Sequence, residues 1–235
     1  ESERVMGRVL SKYPRDSFYL ATKYPGHQIV STGYNPAEIF EEQLEKCGVD
    51  YFDFYLMHNV NENSLRFYCQ EDISYFDYFI EQKKNGRIKH LGFSAHSDLD
   101  GMKQFMARYG EHMEFCQIQL NWFDWDFQDA KAKVALLREY NIPFLVMEPL
   151  RGGKLASLPA EAESKLHVLR PDETIPAWSF RYLQGFDDVM VILSGMSDMQ
   201  QLEANCKTFE TFAPTTPTEN AALYDIAESL NTGVP

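Results

Sequence analysis

The sequence predicts an α/β fold in which parallel strands alternate with helices, arranged as a (β/α)8 barrel that is incomplete here. Three observations point to it. Short, nearly continuous apolar runs alternate with helical patterns along the chain, as strands covered on both faces by helices require. Six such runs occur, each followed by a helix, too few to close an eight-unit barrel. Polar residues recur at the C-terminal ends of all six, and a barrel gathers those ends on one rim. An open doubly wound sheet also fits the alternation, but it would concentrate such residues at a single crevice. Six strands out of six favour the barrel.

The elements follow in order. Residues 1–13 place Val5, Val9 and Leu10 at helical spacing, with Ser2 as a cap. The strand 18–23, FYLATK, ends in Lys23 just before a Pro-Gly turn. Residues 35–48 read as a helix. Pro36 stands in its first turn, Ile39, Phe40 and Leu44 share a face, and Gly48 stops it. The strand 51–58 ends in His58, and a helix over 72–87 closes at Asn85-Gly86. The strand 88–96 carries Ser94 and His96, and a helix over 98–110 follows. The strand 115–121 carries Gln117 and Asn121, and the strand 143–150 carries Glu148, with a helix over 129–141 between them. A longer helical stretch covers 174–185. The last strand, 189–196, contains Ser194-Gly195 and leads to a helix over 198–210. One more amphipathic helix spans 217–230. The loop 59–72 and the region 155–172 read as shaping a pocket.

With 235 residues, 44% of them hydrophobic, the chain can bury a sizeable core, and a single domain over 1–235 is expected. A formal charge of -13 argues against a nucleic-acid surface. No apolar run approaches the roughly 18 residues of a membrane helix, and no signal peptide is visible, so a cytoplasmic protein is expected. The opening ESERVMG has no Met, and the chain reads as a piece of a longer one. Cys47, Cys69, Cys116 and Cys206 lie far apart without a CxxC pair, which reads as reduced thiols and no metal site. Neither a GxGxxG after the first strand nor a GxxxxGK[ST] is present. LRGGKL follows a strand, and its backbone either approaches a phosphate or forms an ordinary turn.

FYLATK, YFDFYLMHN, GRIKHLGFSAHS, QIQLNW, VMEPLRGGKL and VILSGMSDMQQLEAN together resemble the aldo-keto reductase family, in family order and spacing over the whole chain. The resemblance implies a TIM barrel, present here as strands three to eight with their helices. It implies a nicotinamide dinucleotide cofactor, NADPH or NADH, bound without a Rossmann fingerprint, and hydride transfer to an aldehyde or ketone. Lys23 and His58 match the family's catalytic lysine and histidine. ESE resembles the tail of the segment holding the catalytic aspartate and tyrosine, which would then lie upstream. In that scheme Lys23 lowers the pKa of the tyrosine, about 10 when unperturbed. His58 hydrogen-bonds and orients the carbonyl oxygen.

The resemblance also carries cofactor positions. Ser94 and Gln117 match carboxamide-binding residues, although Ala95 stands where an asparagine usually follows. Met147 takes the place of a stacking tyrosine. Leu150 and Gly152, with Arg151, Gly153 and Lys154, lie where the pyrophosphate would pass. Gly195, beside Met196, lies near the adenosine phosphate, and Asn205 matches an adenine contact. Gln201 and Gly195 replace residues that are often basic, which leaves NADH open beside NADPH. MEPLRGGKL and SGMSDMQQLEAN resemble members that continue into a ferredoxin-like tail with 4Fe-4S clusters. Closely spaced cysteines are therefore expected beyond Pro235. The partner implied is a small-molecule carbonyl substrate, with no nucleic acid and no membrane; nothing indicates an oligomeric state.

Taken singly, a strand-end lysine reads as a snorkelling surface group and a strand-end histidine as a structural one. Taken in register, both read as functional. His27, His90, His112 and His167 read as surface or loop residues, and His96 as a candidate to line the substrate pocket. A non-catalytic nicotinamide-binding sensor or regulatory barrel is the alternative, motivated by Ala95 and Met147. A lyase or aldolase using Lys23 as a Schiff-base amine is a third.

Overall fold

The computed structural model describes residues 1–28, 35–69 and 75–231. It divides into two compact units, Glu1–Gln117 with Leu136–Ile142, and Ile118–Ala135 with Pro143–Pro235.

The first unit holds α1 (Ser2–Leu10), β1 (Ala21–Tyr24), α2 (Pro36–Cys47), β2 (Phe52–Val60) and α3 (Glu62–Tyr68). It continues with α4 (Tyr75–Lys84), β3 (Ile88–Ala95), α5 (Leu99–Tyr109) and the start of β4 (Phe115–Gln119). Its strands lie in chain order. β1 pairs parallel with β2, Lys23 opposite Leu56, and β2 pairs parallel with β3, Leu56 opposite Gly92. The helix signals act as read. The Asn35 side chain accepts the Ala37 N–H, Pro36 opens α2, and Gly48 ends it at φ 65. Helices cover one sheet face through aromatic rings. Tyr24 and Tyr55 meet Phe79 of α4 at 4.9 and 5.1 Å, and Phe40 of α2 meets Tyr55 at 5.2 Å. All four are fully buried, each worth about 1.5–3 kcal/mol in transfer free energy.

Several boundaries differ from expectation. Phe18–Leu20 lie outside β1, and side chains bind part of their backbone while the Leu20 carbonyl still accepts from Asp53 and Phe54 N–H of β2. Arg15 donates to the Phe18 carbonyl, and Asp53 accepts the Leu20 N–H at 2.8 Å. α3 occupies the first half of the segment expected to be a loop, 59–72. There Asn61 and Ser64 form a reciprocal capping box. Asp72–Ser74, read as the start of a helix, fall outside the described residues, and α4 ends at Lys84 ahead of a turn with Gly86 at φ 75.

The second unit holds the end of β4, then α6 (Asp124–Phe127), the start of α7 (Ala130–Glu139), β5 (Phe144–Met147) and α8 (Ala160–Leu169). α9 (Ile175–Leu183), β6 (Val189–Ile192), α10 (Met199–Phe209) and α11 (Pro217–Asn231) complete it. β5 and β6 are parallel, Val146 opposite Ile192. α9 is the core helix of this unit. Trp178, Phe180, Tyr182 and Leu183 are buried, and Trp122 donates to the buried Ser179 hydroxyl at 2.9 Å. Arg170 grips Glu219 with two bonds of 2.6 and 2.7 Å and donates to the carbonyls of Ala213 and Pro214. Arg181 pairs with Glu173 at 3.0 Å.

The region 155–172 contains α8, whose buried face is only Ala162 and Leu166, too sparse to show as a periodic pattern. One expectation needs correction in this unit. β6 stops at Ile192 and is not a covered strand. Met190 and Val191 are 48% and 44% exposed, because no described strand pairs with its outer edge. No helix among the described residues is long and apolar enough to cross a membrane.

Candidate active site

Strand alternation gathers the predicted residues of the first unit on one face. Lys23 is opposite Leu56, and His58 lies two residues beyond Leu56. Leu56 is opposite Gly92, and Ser94 lies two beyond Gly92. The Phe115 ring lies over Gly92, where a Cβ would meet its Cε1 at 2.6 Å, so Gln117 shares that face as well. Lys23, His58, Ser94 and Gln117 therefore project from the face opposite Tyr24 and Tyr55. The ladder is bulged just past His58: Asn59 turns to φ 56, the register shifts between Met57 and Val60, and pairing resumes with Val60 opposite Ala95.

Burial and neighbouring charge set the state of this cluster. Lys23 is half-buried and no carboxylate among the described residues pairs with its ammonium, so desolvation lowers its pKa. His58 is pushed down to about 4, first by desolvation and then by His27, Lys23 and His96. It is a neutral imidazole at physiological pH, with one N–H to donate. Ser94 is fully buried, and its hydroxyl lies 2.6 Å from His96 Nε2. Gln117 is buried on β4.

His27, read as a surface or loop residue, lies in the short turn Gly26–Gln28 after β1; its ring stands edge-on to His58 with centroids 4.8 Å apart and hydrogen-bonds the His58 backbone, while its Nδ1 is buried without a hydrogen-bond partner among the described residues. Desolvation lowers its pKa. Tyr68 of α3 fixes this pair. Its hydroxyl donates to the His58 carbonyl at 2.7 Å and accepts the backbone N–H groups of Gly26 and His27. A Cβ on Gly26 would sit 2.3 Å from that hydroxyl, so only glycine fits. The signal lay in the sequence: a histidine four residues after Lys23, across a Pro-Gly turn, at the same strand end.

The second unit places Met147 as the last residue of β5, half-buried, with its carbonyl accepting from Leu120 N–H. Leu150 and Gly152 follow in a tight turn. Glu148, Arg151, Gly152 and Gly153 all have positive φ, and the N–H groups of Gly153 and Leu155 close on the Leu150 carbonyl. Asp124 anchors this turn. Fully buried, it accepts from Arg151, Asn121 and Gln119, while Arg151 also stacks on Phe123 and Phe127. Sequence reasoning missed Asp124, a carboxylate inside an aromatic run. Gly195 has open space around it, and Asn205 of α10 donates to the Ser194 hydroxyl at 3.2 Å. Gln201 is turned back into the helix cap, its amide donating to Asp198 and accepting from the Ser197 N–H.

Parallel strands of the first unit thus set a lysine with no carboxylate partner among the described residues, a neutral imidazole, a hydroxyl and an amide on one face. The Aldo/keto reductase family model matches residues 1–228, and the chain belongs to that family. It is 24% identical over 246 residues to the NADH-specific methylglyoxal reductase of Escherichia coli, covering 87% of this chain and 73% of that protein. Its fold is similar to that of aldo-keto reductase AKR11C1 from Bacillus halodurans in the apo form, with a TM-score of 0.73, 22% identity and coverage of 95% and 76%. An aldo/keto reductase from Brucella melitensis gives a TM-score of 0.71 at 20% identity, with coverage of 95% and 80%.

Proposed function

We propose that the protein transfers a hydride between a nicotinamide cofactor and a small aldehyde or ketone. One observation carries the reading: a desolvated Lys23 without a carboxylate partner, in the same strand-face cluster as a His58 held neutral. The nicotinamide, when bound, supplies the hydride. The donor set suits it. The Ser94 hydroxyl and Gln117 amide of the first unit are the donor and acceptor types that a carboxamide needs. The name of the Escherichia coli relative supports a nicotinamide cofactor and a small carbonyl substrate.

His58 donates its N–H to the carbonyl oxygen and stabilises the negative charge that grows there. The proton comes from a tyrosine that the family resemblance puts outside this sequence. Lys23 favours the phenolate form of that tyrosine, and a carboxylate from the same region keeps Lys23 charged. Two further strands would complete an eight-stranded barrel, making the present residues strands three to eight. The exposed apolar residues of β6, and a pocket of about 360 Å3 lined by Met6, Leu20 and Lys23 along β1, support this. On this reading residues 1–235 alone are inactive.

The test is carbonyl reduction by the intact protein with NADH and with NADPH, followed by Lys23→Met. Unchanged turnover in the variant removes the mechanism. Tight cofactor binding with no turnover of any carbonyl would instead favour the sensor reading that Met147 and Ala95 motivate. Sequence beyond Pro235 checks the iron-sulfur tail, for which closely spaced cysteines are expected.

A further inference from the structure

Resting on the proposed role of Lys23 in proton donation, we infer that Gln43 is its positioning residue: the Gln43 side chain holds the Lys23 carbonyl and so sets where the ammonium stands. Gln43 lies on α2 and is only 6% exposed, a polar residue on the face that buries Phe40, Leu44 and Cys47. Its Nε2 donates to the Lys23 carbonyl at 2.9 Å and to Glu3 Oε1, also at 2.9 Å. Its Oε1 accepts from the hydroxyl of the fully buried Tyr55 at 2.7 Å. Both polar ends of the amide are used, as burial demands.

These partners leave the amide one orientation. Turned over, its oxygen would face the Lys23 carbonyl and the Glu3 carboxylate, which are both acceptors. Glu3 belongs to α1 and also accepts from Thr22 Oγ1 at 2.7 Å, so two helices close on the strand segment that carries Lys23. Strand alternation puts the Thr22 side chain towards those helices and the Lys23 side chain on the other face. The grip on the Lys23 carbonyl fixes the peptide plane at the root of its side chain, and a long side chain magnifies any tilt there into a displacement of its tip. His58 is held in the same way, its carbonyl accepting from Tyr68 of α3 at 2.7 Å. Each of the two candidate catalytic side chains thus has its own backbone carbonyl bound by a helix side chain. A misplacement of about 1 Å at such a group can cost up to 10²-fold in rate.

Gln43→Met keeps the length of the side chain and removes its hydrogen bonds. In the intact protein it should lower kcat for carbonyl reduction about tenfold and leave the KM for the nicotinamide cofactor unchanged. The titration of Lys23, followed by competitive acetylation with acetic anhydride and mass spectrometry, should move towards the ordinary lysine value of 10.5 as the ammonium leaves its fixed surroundings. Thr22→Val is the control. It loosens the same helix contact through Glu3 and leaves the bond to the Lys23 carbonyl in place. There kcat and the Lys23 titration should hold even where stability falls. Equal losses of kcat in the two variants overturn the assignment, because the effect would then belong to the helix contact as a whole.

Tyr55→Phe serves where Gln43→Met fails to fold. It removes the bond that steadies the amide and keeps Gln43 itself, so the Lys23 titration should shift in the same direction by less; no shift overturns the assignment. Because the titration needs no turnover, it separates the two claims. A Lys23 shift in Gln43→Met, in a protein that reduces no carbonyl with either cofactor, supports the positioning and sinks the hydride-transfer reading. Turnover that falls in Lys23→Met but is untouched in Gln43→Met does the reverse.

Discussion

Arg170 and Lys23 are both cations drawn largely out of water, and their surroundings differ in kind. Arg170 has a bidentate carboxylate in Glu219, two backbone carbonyls and a second carboxylate, Glu173, at 3.7 Å. Its pKa is raised by Glu219, and that of Glu219 is pulled down to about 2. Lys23 has none of these. Its charge is desolvated without an ion-pair partner among the described residues, and it helps to hold His58 neutral. A fully matched ion network returns its desolvation cost within the fold. An unmatched one leaves that cost outstanding, to be offset by a group that arrives later. The proposed function for Lys23 rests on this difference, whereas burial alone would rank the two cations together.

The largest effect should come from breaking the unmatched side. Lys23→Met should lower kcat/KM for carbonyl reduction by roughly 10²–10⁴-fold, the range of a group that governs proton donation. The unfolding midpoint should hold or rise, since a desolvated charge is removed. A fall in stability as large as the fall in rate would place Lys23 with Arg170. His58→Phe should cost about 10²-fold or more in kcat, as losing one preorganised donor to a developing oxyanion does.

Breaking the matched side should do the opposite. Glu219→Gln leaves Arg170 with a neutral partner and should reduce unfolding free energy by about 2 kcal/mol, read by urea denaturation. Turnover per folded molecule should stay the same. A normal midpoint in this variant would mean that the bidentate pair gains no more than an exposed one.

The two sides also separate along the pH axis. The folded pKa of His58, about 4, lies below its unfolded value of 6.5, so the unfolded chain binds more protons between these values. Stability attributable to His58 is thus complete above pH 6.5 and is lost as pH falls toward 4. For Glu219 the values are 4.5 unfolded and about 2 folded, so its share is lost in the lower window. Acid unfolding of His58→Phe should lack the upper loss, and that of Glu219→Gln the lower one. The acid limb of kcat/KM should likewise lie near pH 4, not near 6.5.

The unmatched side was the more legible in sequence. Lys23, His58, Ser94 and Gln117 are single polar residues interrupting apolar strands, and period-2 alternation is enough to put them on one face. The network around Arg170 left no such trace. Arg170, Glu173, Arg181 and Glu219 are ordinary charges in helices and loops, joined by contacts up to 49 residues apart. His27 escaped for a related reason. Its role comes from the fold of the Pro-Gly turn and from Tyr68, ten residues past His58, and neither belongs to a strand pattern. β6 fails in the other direction: its apolar run reads as buried, while burial depends on neighbours that no local pattern reports.

The smallest expected effect tests how the imidazole pair is held. α3 begins where β2 breaks, and its start is fixed by Asn61, whose side chain accepts the N–H groups of Asn63 and Ser64 at 2.9 and 3.0 Å. Ser64 returns a bond to the Asn61 N–H and donates to the carbonyl of Asn59, the residue with φ 56. Glu62 accepts the Asp98 N–H from the loop after β3. Removing the cap with Asn61→Ala should cost about 1 kcal/mol of stability. Because Tyr68 ends this helix and carries the bonds to His27 and His58, the KM for the carbonyl substrate should rise severalfold while kcat changes little. A stability loss with KM untouched would show that Tyr68 is positioned by its own packing against Phe76 and Phe105, independently of the helix start. The capping box would then belong with the matched, structural side of the molecule.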